Sequence, residues 1–494
     1  MSLDVETVRR GCRGARVETG HQFCRAELER ARAMVNEASP ITIACTQEAP
    51  LFSEIAAEGD SAVTFANVRE AAGWSREGAS AGPKMAALLA AAAEPMPDTA
   101  LVSLTSEGVI LVYGRDEQAI EAARLLENRL DVTVLLTKPR DIAPARVTTF
   151  PVVAGTIRAA QGHLGAFELT VDDFAQALPS SRDTLRFGPA RNGASSRCDL
   201  ILDLSGGAPL FPAGDLRDGY VRADPGDPAA VLRAVLKAGD LVGTFDKPRY
   251  VTYTADLCAH ARSRIVGCRR CLDLCPTGAI TPAGDHVAIV AQICAGCGQC
   301  AAACPTGAAS YALPPADALM RKLRTLLNVY REAGGARPIL LLHDEDHGAA
   351  LIDALARHGD GLPANVLPLA VNEVTQIGLE VIAAAFAYGA TAMRILLRAR
   401  PRHDVAGLTR TLALAEPILV GLGFGPGRAA TIETDDPFAL GETLRAMAPS
   451  DAAPRPGPKP SPTRIGSARP RVRRKPSMSW RGRARSSRRS ALAP

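Results

Sequence analysis

Eight of the chain's twelve cysteines fall between Cys258 and Cys304. Cys294, Cys297, Cys300 and Cys304 form a C-x2-C-x2-C-x3-C run closed by Pro305. Spacings of two let three thiolates from one tight loop reach three irons of a cubane, while the fourth cysteine, opening a helix that leads away, reaches a neighbouring cluster. A first copy of the pattern holds Cys268, Cys271, Cys275 and Pro276, and Cys-Pro-Thr-Gly-Ala recurs at 275–279 and 304–308. Crossed ligation assigns Cys275, Cys294, Cys297 and Cys300 to one [4Fe–4S] cluster and Cys268, Cys271 and Cys304 to the other.

These runs resemble the dicluster ferredoxins of bacteria, with one departure. The slot three residues before Cys268, which holds a ligand in that family, is Ile265. Cys258 is the nearest replacement, and a longer loop could bring it to the same iron. The alternatives are a three-iron cluster or a donor from outside the chain. Cys198 lies further off and reads as a buried thiol. A zinc ribbon would use C-x2-C pairs but has no need of the x2-x2-x3-Pro repeat. Arg269 and Arg270, between two ligands, are candidate modulators of potential or a solvated pair.

Most other segments read as α/β. Short buried-strand patterns occur at 40–44, 62–65, 108–113, 131–136 and 199–204, with helices at 85–93, 117–128 and 227–238. After the cysteine block come strands at 338–342, 392–397 and 416–420 and helices at 349–358, 372–388 and 440–447. A strand, helix, strand succession at this spacing is a βαβ unit, hence a parallel sheet. The expected organisation is a Rossmann-like domain at 1–150, an α/β extension at 151–255, an inserted α+β dicluster domain at 256–314, an α/β domain at 315–448 and a disordered tail at 449–494.

The stretches Ile43-Ala44-Cys45 and Ala66-Asn67-Val68-Arg69-Glu70, with Trp74 and the Lys84 helix, resemble the flavin-carrying component of heterodisulfide reductase. In that family the strand at 109–113 would begin a flavin-binding unit. Such a unit needs a glycine-rich turn where pyrophosphate meets a helix N-terminus. Here the turn is Gly114-Arg115-Asp116-Glu117, whose side chains and acids argue against FAD. Val371-Asn372-Glu373-Val374 and the helix through Tyr388 resemble the delta subunit of methyl-viologen-reducing hydrogenase. That family's cysteines after its first strand are replaced here by His343-Asp344-Glu345-Asp346-His347, read as a solvated loop ahead of a metal site. Cys12, Cys24 and Cys45 read as thiols ahead of a further cluster, and the glycine run at 421–427 as a loop. Asp203, Lys247 and Arg249 stand near strand ends, where surface or packing roles are expected.

The net charge of +5 divides unevenly. Residues 451–494 hold 13 basic residues and one acid, leaving 44 basic against 51 acidic before them, a balance of −7. The body offers no electrostatic case for nucleic acid. The tail reads as an out-of-frame extension ahead of a disordered anion-binding one. No apolar run approaches a membrane span and no secretory signal opens the chain, so the expected compartment is the cytoplasm. The sequence points to an iron–sulfur electron-transfer protein that docks redox partner proteins. The alternatives are a flavin-containing oxidoreductase subunit of the heterodisulfide reductase kind and an iron–sulfur redox sensor.

Overall fold

Val109–Gly114 (β1) is an apolar run buried along nearly its whole length. Strands of that kind are covered on both faces, and this one lies inside a seven-stranded sheet. In chain order its neighbours are Asp131–Leu136 (β2), Val152–Gln161 (β3), Phe167–Gln176 (β4), Ala194–Cys198 (β5), Leu200–Leu204 (β6) and Tyr220–Arg222 (β7). The spatial order is β7-β6-β1-β2-β3-β4-β5, parallel from β7 to β3 and antiparallel from β3 to β5. The chain is described here from a computed structural model covering residues 3–37, 40–59, 61–147, 149–262 and 265–447. The tail expected from residue 449 lies outside the described residues.

Helices Glu117–Leu126 and Pro228–Gly239 cover one face of this sheet, each opened by an aspartate whose carboxylate accepts backbone N–H groups, Asp116 and Asp227. Strands from both sides of residue 150 share the sheet. The meander β3–β5 has no counterpart among the strands expected from sequence. Its long strands are only partly buried and carry Arg158, Glu168 and Asp172, which blur the apolar signal. Asp203, expected near a surface or in packing, is fully buried in β6, where it accepts from Tyr220 Oη at 2.5 Å and from Ser205 N at 3.0 Å. Arg249 is exposed.

The second sheet is wholly parallel: Ile339–Asp344 (β8), Val366–Val371 (β9), Ala392–Leu397 (β10) and Ala429–Glu433 (β11), in the order β9-β8-β10-β11. Two expectations are corrected here. The apolar run at 416–420 is not a strand. It lies inside helix Ala406–Gly421, whose buried Leu408, Thr411, Ala415 and Leu419 recur at helical spacing despite Pro417, and β11 fills the sheet position instead. The stretch 372–388 is not one helix but a short 3-10 turn, Val374–Gln376, and a helix, Leu379–Ala387, parted by extended Gly378.

The first ninety residues do not cover the seven-stranded sheet with their main apolar face. Ala87 and Ala91 of helix Gly82–Ala92 share a core with Leu319, Leu323, Leu326 and Leu327 of helix Ala316–Glu332. Gly11 sits so close that an added Cβ would stand 2.5 Å from Ala86 Cβ. Among the described residues no helix is long and apolar enough to cross a membrane.

Lys84 of the same helix is fully buried, and its Nζ donates to the carbonyls of Pro363 at 2.7 Å and Leu362 at 3.3 Å. Burial pulls its pKa down to about 7, against a smaller upward pull from Glu77. An unfolded chain binds a proton at Lys84 up to about pH 10.4, so between about pH 7 and 10 the unfolded state holds more protons at this site and stability rises with pH. The expected slope is roughly 1.4 kcal/mol per pH unit. Urea unfolding followed by tryptophan fluorescence at several pH values should show that rise, and Lys84→Met should flatten it.

Candidate iron–sulfur centre

The cysteine segment is held at its ends by Val251–Tyr253, which pairs antiparallel with Ala309–Tyr311. Between them stand two short helices, Arg270–Leu274 with Cys271 and Gln299–Ala302 with Cys300, and a hairpin of Ile280–Ala283 with His286–Ile289. The two halves repeat in detail. Thr277 Oγ1 lies 3.7 Å from Cys275 Sγ, and Thr306 Oγ1 lies 3.7 Å from Cys304 Sγ.

Between Cys258 and Cys268, Ala261–Arg262 pairs antiparallel with Ile265–Val266. The base of this pairing is closed by Gly267 N donating to His260 O at 2.7 Å and Cys268 N donating to Ala259 O at 3.1 Å. Buried His260 adds a 2.9 Å contact from Nδ1 to Cys268 O. This pairing sets Ala259, the neighbour of Cys258, against Cys268. Ile265 is 72% exposed on the outer part of this loop.

Burial and neighbouring thiols together shift several of these cysteines. Burial raises the Cys271 pKa to about 11, and the next contributions come from Cys268, Cys258 and Cys304. Burial pushes Cys300 well above the ordinary thiol range, with further upward contributions from Cys297, Cys294, Cys275 and, last, Cys271. Cys297 is pushed up to about 12 by burial, again with Cys275 and Cys294 adding to it. Cys304 differs: burial pushes it up, but the N–H groups of Ala309 and Thr306 and the Thr306 hydroxyl outweigh that and hold it low. Clustered, buried thiols of this kind ionise together only beside a compensating cation, which is what iron supplies.

One cavity is walled by Cys275, Cys294, Cys297 and Cys300, with Pro276, Ala279, Ile280 and Ile289 completing an apolar lining. A small hollow lined by four cysteines and aliphatic side chains fits a [4Fe–4S] cubane. Among the described residues no three His, Cys, Asp or Glu side chains close on a single point as a mononuclear ion requires. Tyr253 flanks the other group, its pKa raised to about 12 by burial and by its hydrogen bond to Cys258.

Both flanking sheets grip the segment. Thr375 Oγ1 donates to Cys297 O at 2.6 Å, Gln299 Nε2 donates to Asp404 O at 2.8 Å, and Asn372 Nδ2 donates to Tyr311 Oη at 2.7 Å. Tyr311 Oη in turn donates to Gly296 O at 2.5 Å. From the other side Lys247 Nζ reaches Asp218 at 2.7 Å and Gln292 O at 3.1 Å. Arg217 donates to Thr277 O at 2.6 Å. None of these partners carries a local sequence signal; each is a long-range contact.

The remaining candidates lie elsewhere. Cys198 is buried at the end of β5, its pKa pushed up to about 12 by burial. Cys12 packs beside Val8 and Met85, whereas Cys24 packs with Phe52 and Ile55, in separate cores. Cys45 follows strand Ile41–Ile43. Asp344 caps the next helix, its Oδ1 accepting from His347 N at 2.5 Å and Gly348 N at 3.1 Å. His343 Nδ1 lies 2.9 Å from Asp344 O and His347 Nε2 lies 3.0 Å from Asp435 Oδ1. The glycine run at 421–427 is a loop, though it follows a helix rather than a strand. Arg269 and Arg270 are exposed, and Arg269 stands 3.5 Å from Asp273.

Residues 265–308 match the 4Fe-4S dicluster domain family. No curated protein matches the chain. The matched segment is an iron–sulfur module of the electron-transfer type.

Proposed function

We propose that this chain is an electron-transfer component of a cytoplasmic redox complex and holds two [4Fe–4S] clusters. Cys258, Cys268, Cys271 and Cys304 bind the first; Cys275, Cys294, Cys297 and Cys300 bind the second. The observation that supports this reading is the cavity lined by Cys275, Cys294, Cys297 and Cys300, together with the strand pairing that brings the chain at Cys258 back beside Cys268. When bound, each cluster accepts and gives up single electrons. The chain's own residues do the rest. The aliphatic wall of Pro276, Ala279, Ile280 and Ile289 keeps water away, and Thr375 fixes the Cys297 loop by its carbonyl.

The reading has no place for FAD. The Asp116 carboxylate already accepts from Gln118 N at 3.1 Å at the helix N-terminus where a pyrophosphate would lie. An added Cβ at Gly114 would stand 2.5 Å from Ala119 Cβ, so this glycine serves strand–helix packing. The flanking α/β regions supply docking surfaces for redox partner proteins. Iron and acid-labile sulfide analysis with low-temperature EPR tests the proposal: about eight irons per chain are expected. Acid extraction should release no flavin; a stoichiometric amount would replace this reading with that of a flavin oxidoreductase subunit. Rapid reversible reduction with the clusters intact separates electron transfer from sensing by cluster loss.

A further inference from the structure

Arg217 is 7% exposed, yet among the described residues no carboxylate pairs with it. Its guanidinium donates only to carbonyls, Nη2 to Thr277 O at 2.6 Å and Nη1 to Gly162 O at 2.8 Å. Nε is buried without a partner, and the charge lies 4.8 Å from the centre of the Phe211 ring. A buried cation held by neutral groups alone is costly, by several kcal/mol for an isolated ion. Asp218, next along the chain, is already paired with Lys247 at 2.7 Å. Burial lowers the Arg217 pKa, and the strongest opposing pull comes from Cys275, ahead of Asp218. Thr277, which takes the guanidinium's shortest hydrogen bond, forms part of the cavity wall with Cys275. Near the first group of cysteines, Arg269 and Arg270 are instead exposed to solvent.

We propose that Arg217, supplied by the seven-stranded sheet unit, is the buried counter-charge of the cluster on Cys275, Cys294, Cys297 and Cys300, and raises that cluster's reduction potential relative to its neighbour's. A reduced cluster with four thiolates carries more negative charge than an oxidised one, so a fixed cation in a low-dielectric wall favours the reduced form. The exposed arginines near the other cluster are screened by water and act weakly. Arg217 is thus a positioning and tuning residue, and its role rests on the two-cluster reading.

The test is an EPR-monitored redox titration of the full chain as wild type, Arg217→Met, Arg217→Gln and Arg217→Lys, with iron content measured first. About four irons in the wild type would sink the two-cluster reading itself. With about eight irons, the two neutral variants should lower the midpoint of one cluster and leave the other in place, and Arg217→Lys should restore most of the loss. Unmoved midpoints in a fully loaded neutral variant would overturn the assignment, because a purely structural tie would leave the potential alone. If the neutral variants load only one cluster while Arg217→Lys loads both, the charge is required and the proposal stands. If Arg217→Lys fails to load as well, the role is architectural and the proposal falls.

Discussion

Replacing Cys258 with serine should strip or convert one iron–sulfur cluster and leave the other intact. Iron per chain should fall from about eight to about seven if a three-iron centre survives, or to about four if it does not. EPR should assign the change to a single cluster. The geometry behind this is the pairing of Ala261–Arg262 with Ile265–Val266, closed at its base by the Gly267 and Cys268 amides on His260 and Ala259. Ile265 occupies the ferredoxin ligand slot by sequence but points its surface to solvent. Adding Ile265→Cys to the Cys258→Ser variant should therefore not restore the cluster. An unchanged spectrum for Cys258→Ser would remove it from the ligand set.

The second large effect is expected at Gly298, between Cys297 and Gln299. Its φ is +75°, and an added Cβ would lie 2.4 Å from Gln376 Cβ and 2.7 Å from Gln376 Cα. Gly298→Ala carries a conformational cost of roughly 1–2 kcal/mol, and the clash with backbone adds to it. The Cys297 loop must then move off the Val374–Gln376 turn, taking Thr375's hydrogen bond with it. Loss of the cluster on Cys275, Cys294, Cys297 and Cys300 during purification is the expected result, read as iron content and visible absorbance. Gly307→Ala supplies the control. Its φ is +70° but nothing lies within 4 Å of its added Cβ, so it bears the conformational cost alone. Equal losses in both variants would show that the docking contact is immaterial.

The contrast between these two glycines shows what was legible in the sequence. The repeat Cys-Pro-Thr-Gly-Ala announces the metal chemistry because ligand spacing is local, set by a few residues of turn and helix. The parallel strands β1, β2, β6, β8 and β10 were legible for a related reason: each is short and mostly apolar. What failed was non-local. The run at 416–420 reads as a strand by composition, yet the contacts of Leu408, Ala415 and Leu419 make it helical. The long partly polar strands β3 and β4 are stabilised by each other rather than by a repeating apolar pattern. Arg217, Thr375 and Gln376 reach the cysteine segment from 60 or more residues away. No spacing rule joins them to it.

The contact between helices Gly82–Ala92 and Ala316–Glu332 sets a schedule for biosynthesis. At a ribosomal rate of about 5–20 residues per second, the earlier helix waits roughly 10–50 s for its partner to be made. Throughout that interval its apolar face is a client for chaperones. The whole cysteine block emerges within the same window, before the later helix can close the layer. Delivery of iron to the nascent or newly released chain therefore meets an open molecule, and overexpression that outruns either supply should appear first as aggregation rather than as soluble apoprotein.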